Sequence, residues 1–88
     1  SSINIPKLQT YTMEEAIKKI TSMFSQLKVW RELKDIVPQA FKVKKRLRKT
    51  GFAGSFVAGL ELVREGELLV KQENLFDKIF YKVKDNEK

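Results

Sequence analysis

The chain has 88 residues, of which 42% are hydrophobic, and both values are typical of one small folded domain. Its net charge of +7 favours an acidic partner, either nucleic acid phosphates or an acidic protein surface. Because the chain contains no histidine and no cysteine, disulfides, thiolate metal sites and the commonest catalytic bases are excluded, and we do not expect an enzyme.

The sequence also contains no motif for a cofactor or a membrane. Neither G-x-x-x-x-G-K-[ST] nor G-x-G-x-x-G occurs, so we expect no nucleotide cofactor. No apolar run approaches the roughly 18 residues that span a bilayer, and residues 1–10 lack the pattern of a signal peptide. We expect a soluble, cytoplasmic protein that does not bind membranes.

The first predicted helix follows Thr12, which we expect to form a capping box with Glu15. We expect residues 1–11 to be an N-terminal arm, residues 12–84 the folded domain and residues 85–88 a polar tail. Apolar residues at three- and four-residue steps predict one buried stripe on this helix: Met13, Ala16, Ile17, Ile20, Met23, Phe24 and Leu27.

The next stretch, "VWRELKDIVPQ", predicts a short second helix that ends before Pro38. Trp30, Leu33, Ile36 and Val37 would share its buried face. The following "AFKVKKRLRKTG" suits a short strand and an irregular connector equally well, so both interpretations stay open.

The stretch "FAGSFVAGLELVREG" predicts a third helix that begins near Gly54 or Ser55 and ends at Gly66. Placing residues at 100° intervals predicts apolar side chains around most of its circumference, with Glu61 and Glu65 in the remaining sector. We therefore expect this helix to be mostly buried.

After Gly66 the apolar period changes from 3.6 to 2. "ELLVKQ" and "KIFYKV" are predicted to be two antiparallel strands joined by "ENLFD". Three helices followed by a two-stranded antiparallel wing define an α+β winged-helix domain, which is the predicted fold class.

The predicted third helix is poorly suited to reading DNA. Such a helix needs basic or amide side chains toward the base edges, and Glu61 and Glu65 would instead repel phosphates. In the wing connector, Leu75 and Phe76 lie between two acidic residues. We expect Phe76 in the core, and Leu75 either in the core or presented to a protein.

Residues 42–49, "KVKKRLRK", contain six basic and no acidic residues. We call this set the cationic cluster: Lys42, Lys44, Lys45, Arg46, Arg48 and Lys49. It is predicted to meet DNA phosphates, to face an acidic protein surface, or to be a solvated connector.

Two motifs resemble the C-terminal winged-helix domain of segregation and condensation protein A, the bacterial kleisin family. The first is W-x-x-L-x-x-x-x-P, at Trp30, Leu33 and Pro38, and the second is "AGSFVAGLELVREGELLVKQENLFDKIFYK", residues 53–82. The matching positions in the second are Ser55, Phe56, Leu60, Glu61, Leu62, Gly66, Gln72, Phe76 and Ile79. The chain departs from the family pattern at Gly59, where the family usually has small or aliphatic side chains, and at Asp77, where the family commonly has a glycine.

This resemblance implies a non-catalytic bridge in chromosome condensation and segregation, located at the nucleoid. The domain would bind the ATPase head of an SMC protein, while a middle segment of the kleisin, absent from a fragment such as this one, would recruit segregation and condensation protein B. DNA contact would be weak or indirect. The alternative is a DNA-binding winged-helix transcriptional regulator.

We expect the head-binding surface at the wing and the edge of the last strand. The predicted contacts are Leu75, Phe80 and Tyr81, with Lys82 and Lys84 at the rim. Phe76 and Ile79 are predicted to be core residues.

Overall fold

The computed structural model of the protein describes residues 11–75 and 77–85, so residues 1–10, Phe76 and residues 86–88 lie outside the described parts. The helices are α1 (Met13–Ser22) and α2 (Lys45–Arg64), and the strands are β1 (Arg31–Glu32), β2 (Leu68–Lys71) and β3 (Phe80–Val83). Three short 3₁₀ helices lie between α1 and α2: Phe24–Lys28, Leu33–Asp35 and Gln39–Phe41.

Helix α1 confirms the predicted capping box. The Glu15 backbone N–H donates to the Thr12 hydroxyl at 3.1 Å, and the Thr12 backbone N–H donates to the Glu15 carboxylate at 3.0 Å. Ala16 and Ile20 are fully buried, whereas Met13 is 44% exposed. The apolar stripe continues past the end of α1 into the 3₁₀ turn, where Leu27 is also buried.

The predicted second α-helix is wrong. Arg31 and Glu32 instead form strand β1, and the Leu33 N–H donates to the Ile79 carbonyl at 2.8 Å. A single 3₁₀ turn then buries both Leu33 and Ile36, because residues three apart lie on the same side of a 3₁₀ helix. The apolar spacing that suggested an α-helix is satisfied by this shorter element.

Helix α2 begins at Lys45, well before the predicted start at Gly54 or Ser55. Both residues that we expected to cap the helix lie in its middle, and Ser55 is fully buried. The stretch left open as a strand or a connector is therefore mostly the first half of α2. Gly51 lets this half pack against Phe41, which is also buried.

The predicted end of this helix at Gly66 is confirmed. Gly66 has a φ of 80°, its N–H donates to the Val63 carbonyl at 3.0 Å, and the Glu67 N–H donates to the Leu62 carbonyl at 2.8 Å. These two hydrogen bonds form a Schellman motif, which satisfies two carbonyls at the end of the helix.

Burial around α2 differs from the prediction. A single stripe is buried, consisting of Gly51, Ser55, Ala58, Gly59 and Leu62. Leu60 and Val57, which were expected to be mostly covered, are 40% and 46% exposed. The helix is therefore amphipathic rather than buried around most of its circumference.

The sheet has three antiparallel strands in the order β1-β3-β2. Leu69 pairs with Lys82 and Val70 pairs with Tyr81, which confirms the predicted hairpin. Strand β3 is central, so its backbone pairs on both sides.

The α+β class is confirmed, but the predicted three helices and two strands are replaced, in the described residues, by two α-helices and three strands. One core lies between α1, α2 and the inner face of the sheet. Its buried members are Ala16, Ile20, Leu27, Leu33, Ile36, Ala58, Leu62, Leu68 and Tyr81. Ile79 packs against this core, as predicted, while the prediction for Phe76 falls outside the described residues.

Candidate interaction surfaces

One side of the sheet faces away from the helices and presents apolar and basic side chains. Residues opposite each other in antiparallel strands project to the same side, so Leu69 lies beside Lys82 and Lys71 beside Phe80. Trp30, just before β1, joins them through its contacts with both lysines. We call this the outer sheet face: Trp30, Leu69, Lys71, Phe80 and Lys82.

The aromatic rings of this face are partly covered by ammonium groups. Lys71 Nζ lies 4.6 Å from the Trp30 ring centroid and 5.6 Å from that of Phe80. Lys82 Nζ lies 6.0 Å from the Trp30 centroid. These are cation–π distances, so the lysines are oriented by the rings and remain at the surface.

Tyr81 was expected to contact a partner, and that prediction is wrong. Its side chain is fully buried, and its hydroxyl donates to the Phe56 carbonyl at 2.9 Å. Burial raises the pKa of this phenol well above its usual value. Tyr81 lies on the inner side of the sheet, where α2 covers it.

The edge expected at the last strand is occupied at Phe80 and Tyr81, which pair with β1. Among the described residues β2 is also an edge strand, and it is longer than β1. Leu69 and Val70 on β2 are 38% and 39% exposed. An edge strand with exposed aliphatic side chains can accept a further strand from a partner.

Among the described residues of the wing, Leu75 is the most exposed large apolar side chain, at 81%. The loop around it is held by hydrogen bonds: Gln72 Nε2 donates to the Asp77 carbonyl at 2.7 Å, and the Asp77 N–H donates to the Asn74 carbonyl at 2.9 Å. The Asp77 carboxylate also accepts from the Lys78 N–H at 2.8 Å. Asp77 therefore supports this loop where the family pattern has glycine, and Leu75 is presented rather than folded inward.

The second half of α2 offers no unpaired cation toward solvent. Arg64 forms an ion pair with Glu61, whose carboxylate accepts hydrogen bonds from the guanidinium. These hydrogen bonds hold the pKa of Glu61 below its usual value and raise that of Arg64. With Glu65 also exposed, this part of α2 is unsuited to a phosphate backbone, as the sequence predicted.

The cationic cluster lies at the opposite end of the same helix. Lys42 and Lys44 precede α2, and the other four cations belong to its first five residues. Arg48 is anchored, since its Nε–H donates to the Lys42 carbonyl at 3.0 Å. The first half of α2 is therefore strongly basic, whereas its second half is not.

A cleft of about 350 Å³ lies beside the end of β3 and is lined by Lys28, Lys82, Val83, Lys84 and Asp85. The predicted rim residues Lys82 and Lys84 thus lie together, with Lys28 added from the 3₁₀ turn after α1. The cleft is open and mainly basic. It adjoins the outer sheet face at Lys82.

Within residues 11–75 and 77–85, no group of acidic side chains is arranged to hold a metal ion. In the same residues no helix is both long enough and apolar enough to cross a bilayer.

Sequence reasoning did not identify Trp30, Leu69 and Lys71 as surface residues. Trp30 was assigned to the buried face of a helix that does not form. The alternation in "ELLVKQ" did contain a signal, because it places Leu69 and Lys71 on one side of β2 whichever side is buried.

No protein-family model and no curated protein matches the chain. Among solved structures, it is similar to a chain in the crystal structure of the SmcHead bound to the C-winged helix domain of ScpA. The TM-score is 0.56 at 22% sequence identity, and the match covers 82% of this chain and 93% of the other. This likeness shows that the chain has a winged-helix fold.

Proposed function

We propose that this chain is the SMC-head-binding winged helix of a bacterial kleisin and acts in chromosome condensation and segregation by bridging SMC ATPase heads. The observation that supports this most strongly is the structural match, because the winged helix in that crystal structure is bound to an SMC head. The sequence resemblance over residues 53–82 agrees with it.

Under this proposal the domain performs no catalysis, and ATP is bound and hydrolysed by the head. The lack of histidine and cysteine is consistent with such a role. Segregation and condensation protein B would bind a different segment of the kleisin, and the complex would act in the cytoplasm at the nucleoid.

We assign head binding to the edge of β2 and the adjacent wing, with Leu69, Val70 and Leu75 as the apolar contacts. The free edge of β2 can supply main-chain hydrogen bonds to a strand of the head, while the exposed side chains select the partner. Phe80, Lys82 and Lys84, expected at this surface from the sequence, adjoin it on the outer sheet face and the basic cleft. Tyr81 has no place in it, because it is buried.

The alternative function, a transcriptional regulator that reads DNA sequence, has less support. A recognition helix places side chains against base edges in the major groove. In α2 the Glu61–Arg64 ion pair and the exposed Val57 and Leu60 occupy the corresponding second half of the helix. These groups do not attract phosphates, and they do not match the hydrogen-bond donors and acceptors that base edges present in the major groove.

The test is a binding titration of the chain against a purified SMC ATPase head, with the double variant Leu69→Ser and Leu75→Ser. Burying a leucine contributes roughly 1.5 to 3 kcal/mol, so we expect the variant, which loses two leucines, to bind at least about 100-fold more weakly. The matched control is Val57→Ser with Leu60→Ser, which removes two exposed aliphatic side chains from α2. Circular dichroism checks that both variants are folded.

The outcomes test the identity of the partner and the location of the docking surface separately. If the unmodified chain does not bind the head, the proposed function is wrong. If it binds and the α2 variant loses affinity while the wing variant does not, the partner is right and the docking surface lies on α2.

A further inference from the structure

The cationic cluster is not explained by head binding at the wing. It contains six basic residues and no acidic residue within eight positions. Among the described residues, the ion pairs join Lys34 with Glu32 and Arg64 with Glu61, so none of the six cations is paired there. Its helical members, Lys45, Arg46, Arg48 and Lys49, are all exposed.

Helix geometry arranges these cations as a compact ridge. Lys45, Lys49 and Arg46 lie within about 100° of one another around the helix axis, and four residues advance along the axis by about 6 Å. Duplex DNA presents one negative charge per roughly 1.7 Å of its axis, so such a ridge meets several phosphates at once. The start of α2 also has no side-chain cap, so its positive dipole end adds to the field of the cluster.

We propose that the cationic cluster binds the phosphodiester backbone of nucleic acid without reading its sequence. Long, solvated lysines suit a phosphate array, which needs point charges rather than one fixed geometry. A protein interface would need an apolar centre with the charges at its rim. The apolar residues inside the cluster are Val43, which lies in the turn before α2 at 69% exposed, and Leu47, which is half-buried. These two residues do not form such an apolar centre.

Phe52 allows two forms of nucleic acid to be distinguished. It is 43% exposed and lies on the same face of α2, three residues after Lys49 and seven after Lys45. An exposed ring beside cations can stack on an unpaired base, whereas the backbone of a duplex does not require it. The phosphates are common to single strands and duplexes.

Nucleic acid and an SMC head can be bound together in this arrangement. The cluster lies at the start of α2, and the sheet packs against its second half, where Tyr81 meets Gly59. The 20 residues of α2 extend about 30 Å. The cluster therefore lies at one end of α2, and β2 begins four residues after the other end.

The experiment measures fluorescence anisotropy of a labelled duplex and a single strand, each of about 30 nucleotides per strand, with the full chain at about 50 to 200 mM salt. The test variant is Lys45→Gln, Arg46→Gln and Lys49→Gln. The matched control is Lys18→Gln, Lys19→Gln and Lys78→Gln, which removes the same charge from exposed positions elsewhere.

We expect the cluster variant to bind at least about tenfold more weakly at low salt, and the slope of log affinity against log salt to fall by about 3. The control should keep the slope of the unmodified chain. If Phe52→Ala weakens binding of the single strand alone, the single strand is the ligand. If it weakens binding of neither nucleic acid, the duplex is the ligand.

Three results would overturn the proposal. The first is an equal loss of affinity in the cluster variant and the control, which would show that binding depends on the net charge and not on the position of the cations. The second is tighter binding of labelled polyglutamate than of either nucleic acid, which would assign the cluster to an acidic protein. The third is a marked preference for one duplex sequence. Because no SMC head is present, none of these results depends on the proposed function.

Discussion

Gly59 of α2 lies directly against the ring of Tyr81 in β3, so this ring fills the space between the helix and the central strand. The Tyr81 hydroxyl reaches past Gly59 to the Phe56 carbonyl at 2.9 Å. A methyl group on Gly59 would overlap the ring carbons and the hydroxyl. This contact sets the distance between α2 and the sheet, and it requires a residue without a side chain at position 59.

Gly59→Ala is therefore expected to lower the free energy of unfolding by about 1 to 3 kcal/mol, the usual cost of overpacking a core. Without the overlap, replacing glycine by alanine would stabilise a helix by about 0.5 to 1 kcal/mol. A lower free energy of unfolding in the variant therefore indicates the overlap. Urea unfolding measures it. In a Tyr81→Leu background the same substitution should cost less, and equal costs in the two backgrounds would show that the ring is not the obstacle.

Gly66 provides a second test, of backbone conformation rather than packing. Its φ is 80°, and a Cβ added there would meet no atom within 4 Å. Gly66→Ala should lower the free energy of unfolding by about 1 to 2 kcal/mol from the left-handed conformation alone. Gly66→Asn should cost less, because asparagine tolerates this conformation at helix ends. Equal losses for the two variants in thermal unfolding would contradict this explanation.

The boundaries and termini that depend on local chemistry could be predicted from the sequence, and the long-range pairings could not. The Thr12 cap and the Gly66 end each rest on a few neighbouring residues. Strand β1 has two residues, too few for any period, and it exists because β3 lies beside it. Its absence from the prediction made β3 appear to be an edge.

The start of α2 was missed for a related reason. Its first turns contain basic residues and Leu47, without the apolar stripe that marks a helix in a sequence. They are held by the packing of Gly51 on Phe41, a contact between separate elements. Likewise, the alternation in "KIFYKV" places Tyr81 and Phe80 on opposite sides of the strand but does not show which of the two faces inward. Tyr81 faces inward because its ring fits against Gly59 of α2.

The buried phenol of Tyr81 predicts a loss of stability at alkaline pH. Its pKa is raised by burial in the folded chain, so its contribution is fully present below the ordinary pKa of about 10 and is lost as the pH rises above it. Urea unfolding between about pH 8 and about pH 11 should show a steeper decline for the unmodified chain than for Tyr81→Phe. Tyr11→Phe is the comparison, since burial also raises the pKa of that half-buried phenol. Parallel profiles for the unmodified chain and Tyr81→Phe would refute the prediction.

The capping box of α1 predicts a coupled effect of Thr12→Ala. Removing the hydroxyl should lower the free energy of unfolding by about 1 kcal/mol. Hydrogen bonds from the Thr12 N–H and hydroxyl hold the pKa of Glu15 below its usual value, so that pKa should rise in the variant. In the unmodified chain this contribution is present above the ordinary pKa of Glu15 and is lost as the pH falls through the lowered value. NMR titration of Glu15 measures the change. Thr21→Ala, on the exposed side of α1, should leave it unaltered.

The cation–π contact between Lys71 and Trp30 predicts that Lys71→Gln weakens the attachment of β1 to the rest of the sheet. Lys71 Nζ lies 4.6 Å from the Trp30 centroid, and a contact of this kind contributes about 0.5 to 1 kcal/mol at an exposed site. Since Trp30 is the one tryptophan of the sequence, its fluorescence reports this position alone. The emission should change in Lys71→Gln and stay constant in Lys78→Gln, which removes an exposed charge from the wing loop. If both variants unfold at the same urea concentration and with the same emission, the lysine does not hold the ring, and the outer sheet face is formed by packing without the charge.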